Sequence, residues 1–382
     1  MDRKEDILVS VICITYNQEK YIRHCLDSML CQKTNFKFEI IVHDDASTDS
    51  TGEIIKEYES KYPDIVKPIY QKENKYSQDI WVTDCAFEKA RGKYLAFCEG
   101  DDYWCDENKL QLQFDFMEAN EDVSLCFHKT ATFYEYKNEL DDNWFFWKDK
   151  AYNGSGMYTQ EELIKLNTVP FSSQFYRKSD YAKQTMFSNK IIYGDMCATL
   201  FCGTRGKGFC IDRIMSVYRR NVDASAMTKT FNSVKKYNKG IEGTIIIFES
   251  IDKLSNYNFH KIFVELIKKE QNKYIKFNKD EIMQGSQSCD FICIYGIGAY
   301  GEICFGELNK LGIRVDALVV SNPQEKEMQF KNIGVLHVSE LTQIKNPFVL
   351  VSAGRKARKQ MIELLKELNV NNYCISLEEM NE

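Results

Sequence analysis

Over the first 120 residues, short apolar runs of strand length alternate with stretches whose apolar positions recur at helical spacing. Residues 7–15 (ILVSVICIT) form a β-branched-rich run that predicts a strand. Residues 19–32 place Tyr21, Ile22, Cys25, Leu26, Met29 and Leu30 on one helical face. A second strand is predicted over 38–42. Ser50 and Glu53 have the spacing of a capping box, opening a helix that Pro63 closes. Further strands are predicted over 66–70 and 94–98, and helices over 81–89 and 109–119. Alternation of this kind predicts an α/β domain with a mostly parallel sheet and helices on its faces.

Ligands of such sheets bind beyond the carboxyl ends of the strands. Thr15, Tyr16 and Asn17 follow the first strand, Asp44 and Asp45 the second, and Glu99, Gly100, Asp101 and Asp102 the fourth. Acidic clusters gathered at one end of a sheet repel one another unless a cation is near. Hard oxygen ligands suit Mg²⁺ or Mn²⁺, which fill their remaining positions with water and phosphate oxygens. The residues alone therefore point to a metal–diphosphate site, whereas helix capping accounts for Asp49 and Ser50.

Five segments together resemble glycosyltransferase family 2, whose fold is GT-A. They are VSVICITYNQEKYIRHCLDSMLCQ (9–32), FEIIVHDDASTDST (38–51), RGKYLAFCEGDDYW (91–104), YGDMCATL (193–200) and MSVYRR (215–220), in the family's order. The resemblance implies that Thr15, Tyr16 and Asn17 line the nucleotide pocket, beside Asp45, and that Asp44 accepts from the imide of a uracil base. It places Glu99, Gly100 and Asp101 on the Asp-x-Asp motif, with Asp101 the metal ligand and Asp102 supporting it or touching the donor sugar. Glu99 departs from the usual first Asp. Asp195 matches the catalytic base of inverting members, although an Asp there also suits a helix start. Arg219 or Arg220 falls where the diphosphate is contacted, and a solvated arginine pair is the other reading. The histidine that often follows is Asn221 here. The implied activity is transfer of a sugar from a nucleotide sugar, a UDP-sugar by the Asp44 match, to a glycan or lipid-linked glycan acceptor. Nucleotidyl transfer is a second enzyme class, but its glycine-rich signature after the first strand is replaced by TYNQEKY. A nucleotide-sensing protein is a third reading, against which Asp101 and Asp195 stand.

Beyond the predicted catalytic domain (1–228), residues 229–286 are lysine-rich with helical periodicity, which predicts a helical connector; 284–288 reads as a linker. Lys261, Lys268, Lys269, Lys273 and Lys276 suit either a solvated face or anionic lipid. Residues 287–382 predict a small Rossmann-like unit. The strand at 291–295 is followed by Gly296, Gly298 and Gly301 in G-x-G-x-x-G spacing and then a helix. The acid expected about 20 residues on is missing, and Val320-Ser321-Asn322 stands in its place. A nucleotide-binding, regulatory or assembly module is expected, and NAD(P) is not the expected cofactor. The aromatics between Phe133 and Tyr158 suit sugar stacking or a packed insertion.

Composition narrows these readings. With 382 residues and 44% hydrophobic content, the chain suits two packed domains. A net charge of −6 argues against nucleic acid as a partner. The 14 cysteines show no zinc-binding spacing, and no apolar run is long enough to span a membrane. With no export-type leader, these features predict a cytoplasmic protein. They leave contact with the inner membrane face and self-association open.

Overall fold

The structure, a computed structural model, describes residues 6–135, 138–142, 154–187, 193–220, 233–322 and 333–380. It divides into two compact units, 1–225 with 243–267, and 226–242 with 268–382.

The first unit is built on a ten-stranded mixed sheet. Its main path runs β3 (Val66–Tyr70), β2 (Lys37–Asp44), β1 (Ile7–Thr15), β4 (Tyr94–Glu99), β9 (Phe175–Arg177), β6 (Val123–Tyr134), β10 (Lys207–Arg220), β5 (Tyr103–Trp104). The first four are mutually parallel, as predicted. The sheet turns mixed at β9, which runs antiparallel to both β4 and β6. That three-residue strand has no alternating pattern long enough to be read from sequence.

Strand β1 is buried on both faces, which is why it reads as an unbroken apolar run. Val9, Val11 and Cys13 face a cluster with α1 (Ile22–Leu30) and α2 (Thr51–Lys61), joined by α4 (Lys109–Ala119). Ile12 faces the opposite cluster, with Ala86 of α3 (Val82–Phe87), Leu163 of α5 (Gln160–Leu166) and Ala198 of α6 (Gly194–Arg205). The capping box expected at Ser50 and Glu53 does not form. Asp49 accepts from the Thr51 N–H instead (2.9 Å), and Glu53 pairs with Lys56 on the surface.

The stretch 229–286 is not a separate connector: α7 (Val234–Leu254) begins in the second unit and ends in the first. Helix α8 (His260–Gln271) follows. The expected linker at 284–288 is partly helix, since α9 covers Lys279–Ser286. Gly285 seats it, because an added Cβ would stand 2.2 Å from the Phe348 ring. Lys261, Lys268, Lys269, Lys273 and Lys276 are all exposed.

The second unit has a parallel sheet of five strands in the order β14 (Gly334–His337), β13 (Ala317–Val320), β12 (Phe291–Tyr295), β15 (Pro347–Val351), β16 (Tyr373–Ile375). Helices α10 (Ala299–Lys310) and α11 (Arg355–Glu367) follow β12 and β15. A two-stranded ribbon pairs β11 (Ile275–Phe277) with β17 (Leu377–Glu379). Among the described residues, no helix is long and apolar enough to cross a membrane.

Candidate active site

The parallel register brings the predicted residues to one edge. Thr15 pairs with Asp44 across β1–β2, and Ile14 with Glu99 across β1–β4. Three neighbouring strands thus end in Asp44, Thr15 and Glu99, with strands about 4.8 Å apart.

The loops after β1 and β2 are laced together. Asn17 donates its N–H to Ser47 Oγ (2.9 Å) and accepts from the Thr48 N–H (2.8 Å). Gln18 donates to Thr51 Oγ1 (2.8 Å) and Glu19 to Asp49 Oδ2 (3.1 Å), while the Ser50 N–H donates back to Glu19 (2.8 Å). Asn17 adopts φ 53°, and Ala46 is held at φ 63°. Backbone in this region favours Asn and strains Ala, and such strain concentrates at functional loops. Tyr16 is 38% exposed at the mouth.

Asp44 and Asp45 separate in role. Asp44 is buried, accepts from the Ser47 N–H (3.0 Å), and lies against Gly52. Both oxygens of Asp45 are taken by backbone, the N–H groups of Lys75 (2.7 Å) and Tyr76 (3.0 Å). Asp45 therefore ties down the loop after β3 and has no oxygen facing the shared edge unpaired.

The turn after β4 carries the acids. The Gly100 N–H donates to Ile14 O (2.8 Å), and a Cβ on Gly100 would stand 2.5 Å from Gln18 Oε1 and 2.8 Å from Thr15. Only glycine fits between these loops. Burial, then the neighbouring Asp101 and Asp195, push Glu99 up to about 8. Burial lifts Asp101 to about 6, with Arg219 and the Gln18 side chain opposing. Asp102 is raised by burial and by Asp101 and Glu99, and its Oδ1 accepts from the Arg219 N–H (2.9 Å). Crowded carboxylates that resist ionisation are the signature of a site that a cation would relieve. Among the described residues, no three His, Cys, Asp or Glu side chains converge into a metal cage. The donor set instead fits an ion that takes one or two carboxylates and completes its shell with phosphate and water.

Arg219 is not a solvated arginine. Its side chain is 13% exposed, donates to Glu135 (2.7 Å) and contacts His24 Nδ1 (2.8 Å). The guanidinium lies over the rings of Tyr103 (4.8 Å), Tyr21 (5.3 Å) and Phe133 (5.6 Å). Its Nε, Thr15 Oγ1 and Gln18 Oε1 are buried without a hydrogen-bond partner. Buried polar atoms are rarely left so, and these are concentrated around the acidic turn.

Asp195 lies in the first turn of α6, where its Oδ2 accepts from Thr168 Oγ1 (3.2 Å). Gln174 and Thr199 bond its carbonyl and fix the backbone there. Burial raises its pKa, and its charge reaches Glu99. Gln18, His24, Glu135 and Thr168 were not singled out from sequence. Gln18 directly follows the Thr-Tyr-Asn turn and had a local signal. Asn221, Trp144 and the other aromatics between 143 and 152 lie outside the described residues.

In the second unit, Gly296 has φ 111°, and its Cβ would stand 2.5 Å from Ser352 O. A Cβ on Gly301 would stand 2.0 Å from Gly296 O, while Gly298 faces open space. The strand–turn–helix reading is therefore correct. At the switch point between β12 and β15, however, Glu379 meets the first turns of both helices. It accepts from the Arg355 N–H (3.4 Å), Tyr300 Oη (3.1 Å) and Arg358 (2.8 Å). The chain's own carboxylate thus stands at the N-terminus of α11 and reaches α10 only through the Tyr300 hydroxyl.

Comparison with known proteins agrees with the first unit. A family model described as Glycosyl transferase family 2 matches residues 10–183. An uncharacterized protein of Mycobacterium tuberculosis is 42% identical over 131 residues, 33% of this chain and 36% of its own. The Escherichia coli UDP-Glc:alpha-D-GlcNAc-diphosphoundecaprenol beta-1,3-glucosyltransferase WfaP is 37% identical over 112 residues, 29% of this chain and 42% of its own. The minor teichoic acid biosynthesis protein GgaA of Bacillus subtilis is 33% identical over 123 residues, 31% and 27% of the two chains. The chain thus spans well under half the length of these relatives. In structure, TarS of S. aureus in complex with UDP-GlcNAc superposes with a TM-score of 0.50 at 20% identity, covering 64% of this chain and 67% of that one. That likeness establishes the shared fold, which is GT-A. Over residues 10–183, somewhat less than half of its length, the chain is similar to glycosyl transferase family 2.

Proposed function

We propose that this chain is a metal-dependent, inverting glycosyltransferase that moves a sugar from a UDP-sugar to a hydroxyl of a cell-surface glycan precursor. The observation that carries the proposal is the meeting of Asp44, the Glu99–Asp102 turn and Arg219 at one edge, with the charge of Asp195 reaching Glu99. WfaP, by name, uses UDP-Glc on a diphosphoundecaprenol-linked acceptor, and GgaA belongs to minor teichoic acid biosynthesis. These support the donor and acceptor classes.

Each residue has a task. Asp44, buried at the end of β2, accepts from the base imide, and Thr15, Tyr16 and Asn17 wall the nucleotide. The orphan Nε of Arg219 is free to donate to a diphosphate oxygen. Asp101 would hold a Mn²⁺ or Mg²⁺ ion, which supplies positive charge to the leaving diphosphate. Asp195 accepts the acceptor hydroxyl's proton while that oxygen bonds to the anomeric carbon. The bond from that carbon to the diphosphate oxygen breaks on the opposite side, so configuration inverts. Its burial-raised pKa makes Asp195 a stronger base than a solvated carboxylate. We read the second unit as an assembly or regulatory module, because Glu379 already occupies the N-terminal turn of α11 beside the glycine turn's helix.

The test is nucleotide release. Incubation with UDP-, GDP- and CDP-sugars and Mn²⁺ is expected to liberate UDP, and Asp195→Asn is expected to stop it. Release from GDP- or CDP-sugars alone would overturn the donor assignment.

A further inference from the structure

We propose that the opposite end of the first unit's sheet carries a second binding site, a groove for an extended anionic glycan chain. The groove has a volume of about 1000 Å³ and lies where β1, β2, β3 and β4 begin. Its cations are Lys37, Lys67, Arg91 and Lys93, and an adjoining hollow that shares Lys67 and Arg91 adds Lys89. Asp6 and Asp64 also line it, Glu39 pairs with Arg91 and Glu118 with Lys93, so the positive excess is slight and is carried by Lys37, Lys67 and Lys89, in a chain whose net charge is −6.

The site is built rather than merely charged. Glu39 is 1% exposed and accepts from Arg91 Nε and Nη2 (2.8 and 2.6 Å) as well as from the Arg91 N–H (2.8 Å). Ser10 Oγ donates to the same carboxylate and accepts from the Gly92 N–H (2.8 Å). Gly92 is required there, since a Cβ would stand 2.5 Å from the Ser10 nitrogen. The knot fixes a guanidinium whose side chain remains 58% exposed toward solvent. Preorganised charge of this kind lowers the entropy cost of binding an anion.

The spacing favours a chain over a single ion. Strands β3, β2, β1 and β4 are consecutive neighbours, so cations at β3 and β4 stand about 14 Å apart at roughly 4.8 Å per strand. That span matches two to three charged sugars. Phe38, half-buried, lies among the cations and offers apolar surface to a sugar ring, over the buried Phe36. A bilayer prefers a flat or convex face, and here the cations line a hollow. The groove lies about 26 Å from Thr15 along β1, at about 3.3 Å per residue. A growing acidic polymer held there would remain bound while its end is at the acidic edge.

The glycan nature of the ligand rests on the proposed function, but binding is measured without transfer, so the two can fail separately. Fluorescence anisotropy would follow labelled oligogalacturonate decamer, with maltodecaose as the neutral probe of equal length. Wild type is expected to bind the acidic decamer with an affinity that falls with salt, and to ignore maltodecaose. The exposed pair Lys37→Glu/Lys89→Glu should weaken binding by about tenfold or more while leaving UDP binding unchanged. Lys67→Glu serves as the second variant, should the pair fail to fold. Equal affinity in the variants, equal affinity for maltodecaose, or groove-dependent capture by phosphatidylglycerol vesicles without decamer binding would overturn the proposal.

Discussion

Lys109 provides a stringent test of the interior beneath the acidic turn. It is fully buried at the start of α4, donates to Gln113 Oε1 (2.7 Å), and lies 4.1 Å from the Trp104 ring centre. No carboxylate pairs with it among the described residues. Burial pushes its pKa from 10.5 down to about 7. Between these values the unfolded chain keeps the proton that the folded chain releases, so stability rises with pH. Integrating the linkage, the cost of burying Lys109 is about 4 kcal/mol at pH 7 and about 2 kcal/mol at pH 9. Lys109→Met removes this dependence, although it leaves Gln113 Oε1 without its donor at a pH-independent cost of roughly 1–3 kcal/mol. The wild type should therefore gain about 2 kcal/mol on the variant between pH 7 and pH 9. Urea unfolding followed by tryptophan fluorescence suits the measurement, because Trp81, Trp104, Trp144 and Trp147 all precede the second unit. Parallel pH profiles for the two proteins would refute the reasoning, for they would mean that Lys109 stays charged when buried.

Asp195→Asn should lower the transfer rate by about 10²–10⁴-fold with UDP affinity within about twofold of wild type, by steady-state kinetics and calorimetry; parallel loss of both would remove Asp195 as the base. Gly301→Ala should destabilise the second unit by about 3 kcal/mol or more, because its Cβ meets the Gly296 carbonyl at 2.0 Å. Hydrogen exchange should show the loss in 287–380, while Gly298→Ala, which faces open space, should change little. Glu379→Gln should leave Arg358, 5% exposed, without its carboxylate and cost about 3–5 kcal/mol, read as a lower melting temperature of the second unit.

The parallel core and its ligand edge were legible because β1, β2 and β4 are buried on both faces and write unbroken apolar runs. The acids that follow those strands were legible for the same reason, since the strand ends fix where they stand. What failed was chemistry decided at a distance. Ser50 and Glu53 had capping spacing, but Asp49 reached the helix N–H first, held by the loop after β1. Asp45 was expected beside the nucleotide pocket, yet its carboxylate serves the Lys75 and Tyr76 backbone about 30 residues away. Arg219 read equally well as solvated, because the aromatic cradle of Tyr21, Tyr103 and Phe133 comes from three separate elements. The glycine spacing at Gly296 was read correctly as a turn, and Glu379, far along the chain, gave no signal that it would meet the first turn of α11.

The central claim is a nucleotide site at the carboxyl edge of β1, β2 and β4 that relies on Asp101 for a divalent ion. Titration calorimetry of UDP with and without Mn²⁺, on wild type and Asp101→Asn, tests it most directly. The account predicts Mn²⁺-dependent binding by wild type that falls by about tenfold or more in the variant. UDP affinity that is indifferent to Mn²⁺ and unchanged by Asp101→Asn would contradict it.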